Sequence, residues 1–212
     1  MPNTVDLQFY IQHRREERYL EYKCSMMWTG NDVTKVKVAK AMMAMSNLSN
    51  GGVVVVGMKE LERGVWQPDG MSEQQVMSFN HDDIAQWVND CAVPSVQFEV
   101  ESFELDGNRF VIIKVREFDR IPVVCRRQKT VGGEDLRAGA VYFRSNRKHE
   151  SAPISSDEDM RELIELAVDK GVAQEIKRLR ELGLIPAEPQ PHAEPEARES
   201  SALNYAQERE GL

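Results

Sequence analysis

Four valines in succession, Val53 to Val56, stand between Gly51-Gly52 and Gly57. β-Branched side chains suit a pleated strand, and a run without polar alternation reads as a strand buried on both faces. The paired glycines allow a tight entry turn, and Gly57 lets another segment approach the far end. Such a strand needs cover on each side, and the apolar stretch Val36 to Leu48 supplies one covering helix. The expected fold is therefore α+β (a mixed α/β arrangement), a mixed sheet flanked by helices. Polar residues just past a buried strand are a common place for a site, which points to Glu60 and its neighbours.

The 212 residues suffice for one good-sized domain with appendages, and 29% charged residues beside 41% hydrophobic ones describe a globular chain. No apolar run is long enough to span a bilayer, and Met1-Pro2-Asn3-Thr4 lacks the layout of a secretory signal, so a cytoplasmic location without membrane contact is expected. Cys24, Cys91 and Cys125 lack zinc spacing and read as reduced thiols. The net charge of −8 is unevenly spread: residues 109–149 hold 11 Lys/Arg against 4 Asp/Glu, whereas 1–108 hold 9 against 16 and 150–212 hold 7 against 15. A basic block inside an acidic chain fits a local polyanion site, and equally a strand face with solvated cations.

Along the chain, a helix is expected within 5–20 and a short strand over Tyr19–Cys24. Asn31-Asp32 is suited to cap a helix over 33–48, whose methionines read as core. Residues 62–72 have loop composition, and Asn80 caps an amphipathic helix carrying Ile84, Trp87, Val88 and Cys91. Strands at 96–100 and 110–115 are joined by an Asp106-Gly107-Asn108 turn, with further short strands at 122–125 and 140–144. A helical extension over 151–184 is expected in two segments interrupted at Gly171, followed by a flexible tail, 185–212.

The candidates for chemistry are acidic. Glu16, Glu21 and Glu60 sit in or beside elements that lead toward the valine strand. Three carboxylates suit Mg²⁺ or Mn²⁺, which prefer oxygen ligands and can activate water or a ribose 2′-hydroxyl. On one continuous helix Glu16 and Glu21 would lie about 140° apart, so convergence requires the helix to end before Glu21. Pairing with Arg14, Arg18 or Lys23 at the surface explains the same acids without a site.

Glu16, then Glu21-Tyr22-Lys23, Ala44-Met45-Ser46-Asn47, Gly51-Gly52 and Val53 to Gly57 together resemble the Schlafen AlbA-like domain family. Ile121-Pro122-Val123 and Gly139 to Ser145 are similar to its closing strands, so the likeness covers residues 12–150 and implies a Schlafen-core-like domain at 1–150. In eukaryotic Schlafen proteins this module cuts transfer and ribosomal RNA with three acids and a divalent metal. The resemblance thus implies Glu16, Glu21 and Glu60 as catalytic and metal-binding residues with Mg or Mn. Lys59 stands where the family has the first Asp of an Asp-Asp pair, Glu60 replaces the second, and one extra residue separates Asn47 from Gly51.

Two readings follow. In the first, the protein is a metal-dependent endoribonuclease on structured RNA such as tRNA, with Lys23, Arg126, Arg127 and Arg144 in a basic groove that contacts phosphate. In the second, the same groove serves a non-catalytic nucleic-acid-binding module, regulatory or part of an assembly; RNA is favoured over DNA in both. A role in phage defence and self-association into a homo-oligomer are compatible with either. A third reading, a protein–protein adaptor docking through 156–183, competes with packing of that apolar face on the domain's own sheet.

Overall fold

The valine run forms the strand Gly52–Val56, and every residue of it is buried. The computed structural model describes residues 4–30, 32–62 and 64–186. In chain order the elements are α1 (Thr4–Gln12), β1 (Leu20–Lys23), α2 (Asp32–Ser46), β2 (Gly52–Val56), β3 (Met58–Glu62), β4 (Val65–Pro68), α3 (Glu73–Ser78) and α4 (His81–Cys91). There follow β5 (Ala92–Val93), β6 (Phe98–Leu105), β7 (Asn108–Val115), β8 (Val124–Cys125), β9 (Lys129–Val131), β10 (Glu134–Leu136), β11 (Tyr142–Phe143), β12 (Ala152–Pro153) and α5 (Asp157–Glu181). The fold is α+β, as expected. Two compact units divide the chain, Met1–Gln174 and Glu175–Leu212, so α5 begins inside the first.

The main sheet has the order β1-β2-β7-β6, with β1 parallel to β2 and the other pairs antiparallel. Because side chains alternate along a strand, Val54 and Val56 join one core with α2, α4 and Trp28. Val53 and Val55 join a second core with Leu7, Ile11, Tyr22 and Trp66. Burial on both faces explains why the run contains no polar residue.

Gly51 has φ +72°, and a Cβ there would lie 2.0 Å from the Val115 carbonyl oxygen. Its N–H donates to the Leu48 carbonyl, and the Asn50 N–H to Glu117 Oε2 at 2.9 Å, so both amides are used within the turn's own packing. Gly52 meets Met45 and the Tyr19 carbonyl where its Cβ would be, and Gly57 has φ +109° against Phe110. All three glycines serve close packing around β2.

Asn47 is fully buried and ties three segments: its Nδ2 donates to the Val123 and Tyr142 carbonyls, each at 2.9 Å, and its Oδ1 accepts from Val123 N at 2.7 Å. Bonding of this kind explains why the segments expected as strands at 122–125 and 140–144 form only the two-residue pieces β8 and β11. Their backbone groups are taken by side chains and loops rather than by a ladder.

Other expectations are corrected. Residues 62–72, read as loop, contain the rest of the β3–β4 hairpin, and α3, which begins at Glu73, was missed although Ser72 and Gln75 form a capping box. Gly171 does not interrupt α5, which runs continuously. Asn80 caps α4 as expected, accepting from Asp82 N at 2.9 Å. Asn31, expected as a cap, and the tail from residue 187 lie outside the described residues.

Candidate functional site

Helix α1 stops at Gln12, and an irregular loop carries the chain from His13 to β1, so Glu16 and Glu21 are no longer bound to helical spacing. Glu16 folds back on β1: its Oε1 accepts from Tyr22 N at 3.0 Å. Glu21 projects from the centre of β1 and is 5% exposed. Glu60 arrives from the β3–β4 hairpin, exposed, with its Oε1 accepting from Gly64 N at 2.9 Å. All three line one cleft of about 450 Å³, together with Lys23, Lys37, Lys40, Glu134 and His149. The three acids that spacing could not connect thus border the same cleft. Lys59, next to Glu60, points to the opposite side of β3 and is not among the lining residues.

Glu21 is the hub. Its Oε1 accepts from Lys23 Nζ, and its Oε2 accepts from Arg144 Nη1 and from Ser151 Oγ, the latter at 2.7 Å. Arg144 is 0% exposed, and its remaining bonds reach the carbonyls of Arg18 at 2.8 Å, Glu17 at 3.0 Å, His149 at 3.1 Å and Leu20 at 3.3 Å, and the Ser151 hydroxyl at 3.3 Å. In return, Arg18 Nε donates to the Arg144 carbonyl at 2.6 Å. Sequence reasoning expected Arg144 to contact phosphate. The structure corrects this: a buried guanidinium spent on backbone carbonyls and one carboxylate has no surface to offer a ligand.

The two neighbouring acids are tuned in opposite directions. Burial pushes the Glu21 carboxyl up, but Lys23 and Arg144 outweigh it and hold its pKa below the ordinary glutamate value. Burial raises the pKa of Glu16; the Tyr22 N–H pulls it back in part, and the Glu21 charge adds to the rise. A raised folded-state pKa means stability that is present below the unfolded value and lost as pH rises through the folded one. Glu16→Gln, which still accepts from Tyr22 N, is accordingly expected to raise the melting temperature at neutral pH, with the gain shrinking on acidification. A melting temperature unchanged or lowered at pH 7 would contradict this assignment.

A divalent ion needs carboxylate oxygens free to turn toward it. Both oxygens of Glu21 are engaged by cations and a hydroxyl, and one oxygen each of Glu16 and Glu60 by backbone N–H groups. Among the described residues no group of three His, Cys, Asp or Glu is arranged to hold a metal. The donor set does not fit the Mg²⁺ or Mn²⁺ that the sequence resemblance implies.

The basic block does not form a groove either. Its cations are distributed over several elements, most of them against carboxylates: Lys114 with Glu101 at 3.3 Å and Arg109 with Glu104 at 3.6 Å on the β6–β7 hairpin, and Arg147 with Glu158 at 2.6 Å. Arg127 pairs with Asp90 at 2.9 Å, whereas Arg126 carries no ion pair among the described residues and borders a different cleft. Linear charge counting missed these partners because they come from outside the block. It also missed Lys37 and Lys40 on α2, 3.8 and 2.9 Å from Glu134, whose spacing on one helix face was the only available signal.

A model of the family described as Schlafen, AlbA_2 matches residues 16–153, from Glu16 to just past Ser151. The chain belongs to the Schlafen, AlbA_2 family. Membership ties it to a nucleic-acid-related function. Among solved structures it is similar to the DIP2311 protein from Corynebacterium diphtheriae, with 15% identity over 74% of this chain and 27% of that one, at a TM-score of 0.48. It is also similar to the N-terminal domain of a RecG-related protein from Nitrosomonas europaea, with 18% identity over 63% of this chain and 86% of that domain, at a TM-score of 0.45. The AlbA_2 chain thus spans about a quarter of the length of the first of these. No curated protein matches it. No helix among the described residues is long and apolar enough to cross a membrane.

Proposed function

We propose that this Schlafen, AlbA_2 protein is an endoribonuclease acting on structured RNA at the cleft of Glu16, Glu21 and Glu60. What carries the reading is the convergence of three carboxylates, from positions 16, 21 and 60, on one cleft that also presents Lys23, Lys37 and Lys40. A surface that only held phosphates would gain nothing from acids at its floor, because they repel the ligand. Acids beside lysines suit a reaction in which protons move while phosphate charge is balanced.

In such a reaction the ribose 2′-oxygen bonds to phosphorus and gives its proton to a carboxylate. The P–O5′ bond breaks and the leaving oxygen takes a proton, which leaves a 2′,3′-cyclic phosphate and a 5′-hydroxyl. Glu16, which holds its proton more tightly than an ordinary glutamate, is suited to supply that last proton. The lysines offset the charge that gathers on the phosphoryl oxygens. Glu21 acts through others, as the anchor that fixes Lys23.

The closed bonding of Glu21 favours a second reading, a binding module without catalysis. One assay separates the two: incubation of a transfer-RNA pool with the full chain in Mg²⁺, Mn²⁺ or EDTA, beside Glu60→Ala and Glu16→Gln. Cleavage lost in both variants supports the enzyme, and its persistence in EDTA supports chemistry by the chain's own residues. Intact RNA that is retained in a salt-sensitive manner by all three proteins would overturn catalysis in favour of binding. Glu21→Gln is a poor control, because it leaves buried Arg144 without its counter-charge.

A further inference from the structure

Helix α5 is apolar on two adjoining faces, and the body of the protein covers one of them. Leu163 is 3% exposed, and Leu166 and Ala167 pack beside it against the core. On the next face Met160, Ile164, Val168 and Val172 recur every fourth residue and stay 39–57% exposed. Met160, Ile164 and Val168 border a groove of about 460 Å³ together with Ile121, Pro122 and Val124, and every lining residue is apolar. Ile121 is 62% exposed. Packing on the domain therefore accounts for part of the helix's apolar surface and leaves a contiguous patch in water, the mark of an interaction site.

We infer that this face is a dimer interface, in which α5 lies antiparallel to α5 of a second copy. A twofold contact must be complementary to itself, and an i, i+4 ridge beside a groove meets that condition, since each ridge fits the other's groove. With the axis between Ile164 and Val168, Ile164 of one copy faces Val168 of the other, and Met160 faces Val172. The charges agree with this pairing. Glu158, Glu162 and Lys170 are bound to the body by Arg147 at 2.6 Å, Arg18 at 2.7 Å and Glu117 at 2.7 Å. The ridge that flanks the apolar one, Arg161, Glu165 and Asp169, is exposed and has no ion-pair partner among the described residues. The same axis turns Arg161 of each copy toward Asp169 of the other, on the polar rim that such interfaces keep. Glu165 sits next to the axis and meets its own copy, a repulsion those pairs offset. Other occupants fit less well. The flanking acids repel an anionic membrane surface, and the groove offers no cation to a polyanion. Residues 187–212 hold only Leu203, Tyr205 and Leu212 as large apolar residues, with no i, i+4 repeat to fill the groove.

The test is sedimentation velocity of the full chain over a concentration series. A reversible monomer–dimer equilibrium is expected. Ile164→Glu should raise its dissociation constant roughly a hundredfold or more, because a twofold contact feels each substitution twice. Arg161→Glu should weaken the dimer, and Arg161→Glu combined with Asp169→Arg should restore it, since the pair is rebuilt with its charges exchanged. Glu165→Gln should tighten it. All four positions are exposed, so the variants are expected to keep the fold, which circular dichroism checks. A chain that stays monomeric throughout overturns the inference and hands the face to another protein or to the tail. A dimer indifferent to Ile164→Glu uses a different surface and overturns it equally. Failure of the exchanged pair to recover what Arg161→Glu loses overturns the antiparallel arrangement. The inference is independent of any chemistry at the acidic cleft, and RNA cleavage is not its readout.

Discussion

Arg144→Leu is expected to lower the unfolding free energy by about 3–5 kcal/mol, the scale for breaking a buried ion pair from one side. The substitution leaves Glu21 buried with only Lys23 and Ser151 for compensation, and takes the guanidinium away from the carbonyls of Arg18 and His149, whereas those of Glu17 and Leu20 keep each other's backbone N–H. Urea denaturation at neutral pH measures the loss. Arg144→Leu combined with Glu21→Leu should recover part of it, because an apolar pair leaves no buried charge. Glu21 has a lowered folded-state pKa, so its contribution is present above the unfolded value and disappears as pH falls through the folded one. The gap between wild type and Arg144→Leu should therefore narrow in acid. A loss below about 1 kcal/mol, the range of exposed pairs, would mean that the guanidinium is solvated rather than buried.

Gly51→Ala is the second large effect, expected to be on the order of 3 kcal/mol or more. Two penalties add: the left-handed backbone at φ +72°, and a methyl group driven onto the Val115 carbonyl oxygen. That oxygen belongs to β7, paired with β2 at Gly52, so relief would have to open the central ladder. Gly64→Ala, at φ +81° but with no atom within 4 Å of its Cβ, isolates the backbone penalty and should cost clearly less. Equal losses in the two variants would show that the close contact contributes nothing.

The sheet was legible in the sequence where periodicity and turn chemistry act locally. Val53 to Val56 announced a doubly covered strand, Asn80 a helix start, and Asp106-Gly107 a hairpin. Matched motifs, and no spacing rule, singled out Glu16, Glu21 and Glu60, which border one cleft. What stayed hidden depends on partners distant in the chain. Arg144 reads as a surface cation until its acceptors at residues 17 to 21 are known, and the basic block reads as a groove until Glu99, Glu101, Glu104 and Asp90 are seen to neutralise it. The short strands near 124 and 142 were over-read because side chains such as Asn47 took the backbone groups that a longer ladder would have used.

The bond between Glu21 and Arg144 spans 123 residues, which bears on how the protein is made. As the polypeptide leaves the ribosome, β1, β2 and the β3–β4 hairpin emerge long before the guanidinium that fixes the acid on β1. A nascent chain can thus assemble much of its sheet while the cleft remains unorganised. The cleft is complete only when residues 144 to 151 reach β1, so a fragment that stops short of them is expected to leave Glu21 without the Arg144 and Ser151 bonds that fix it.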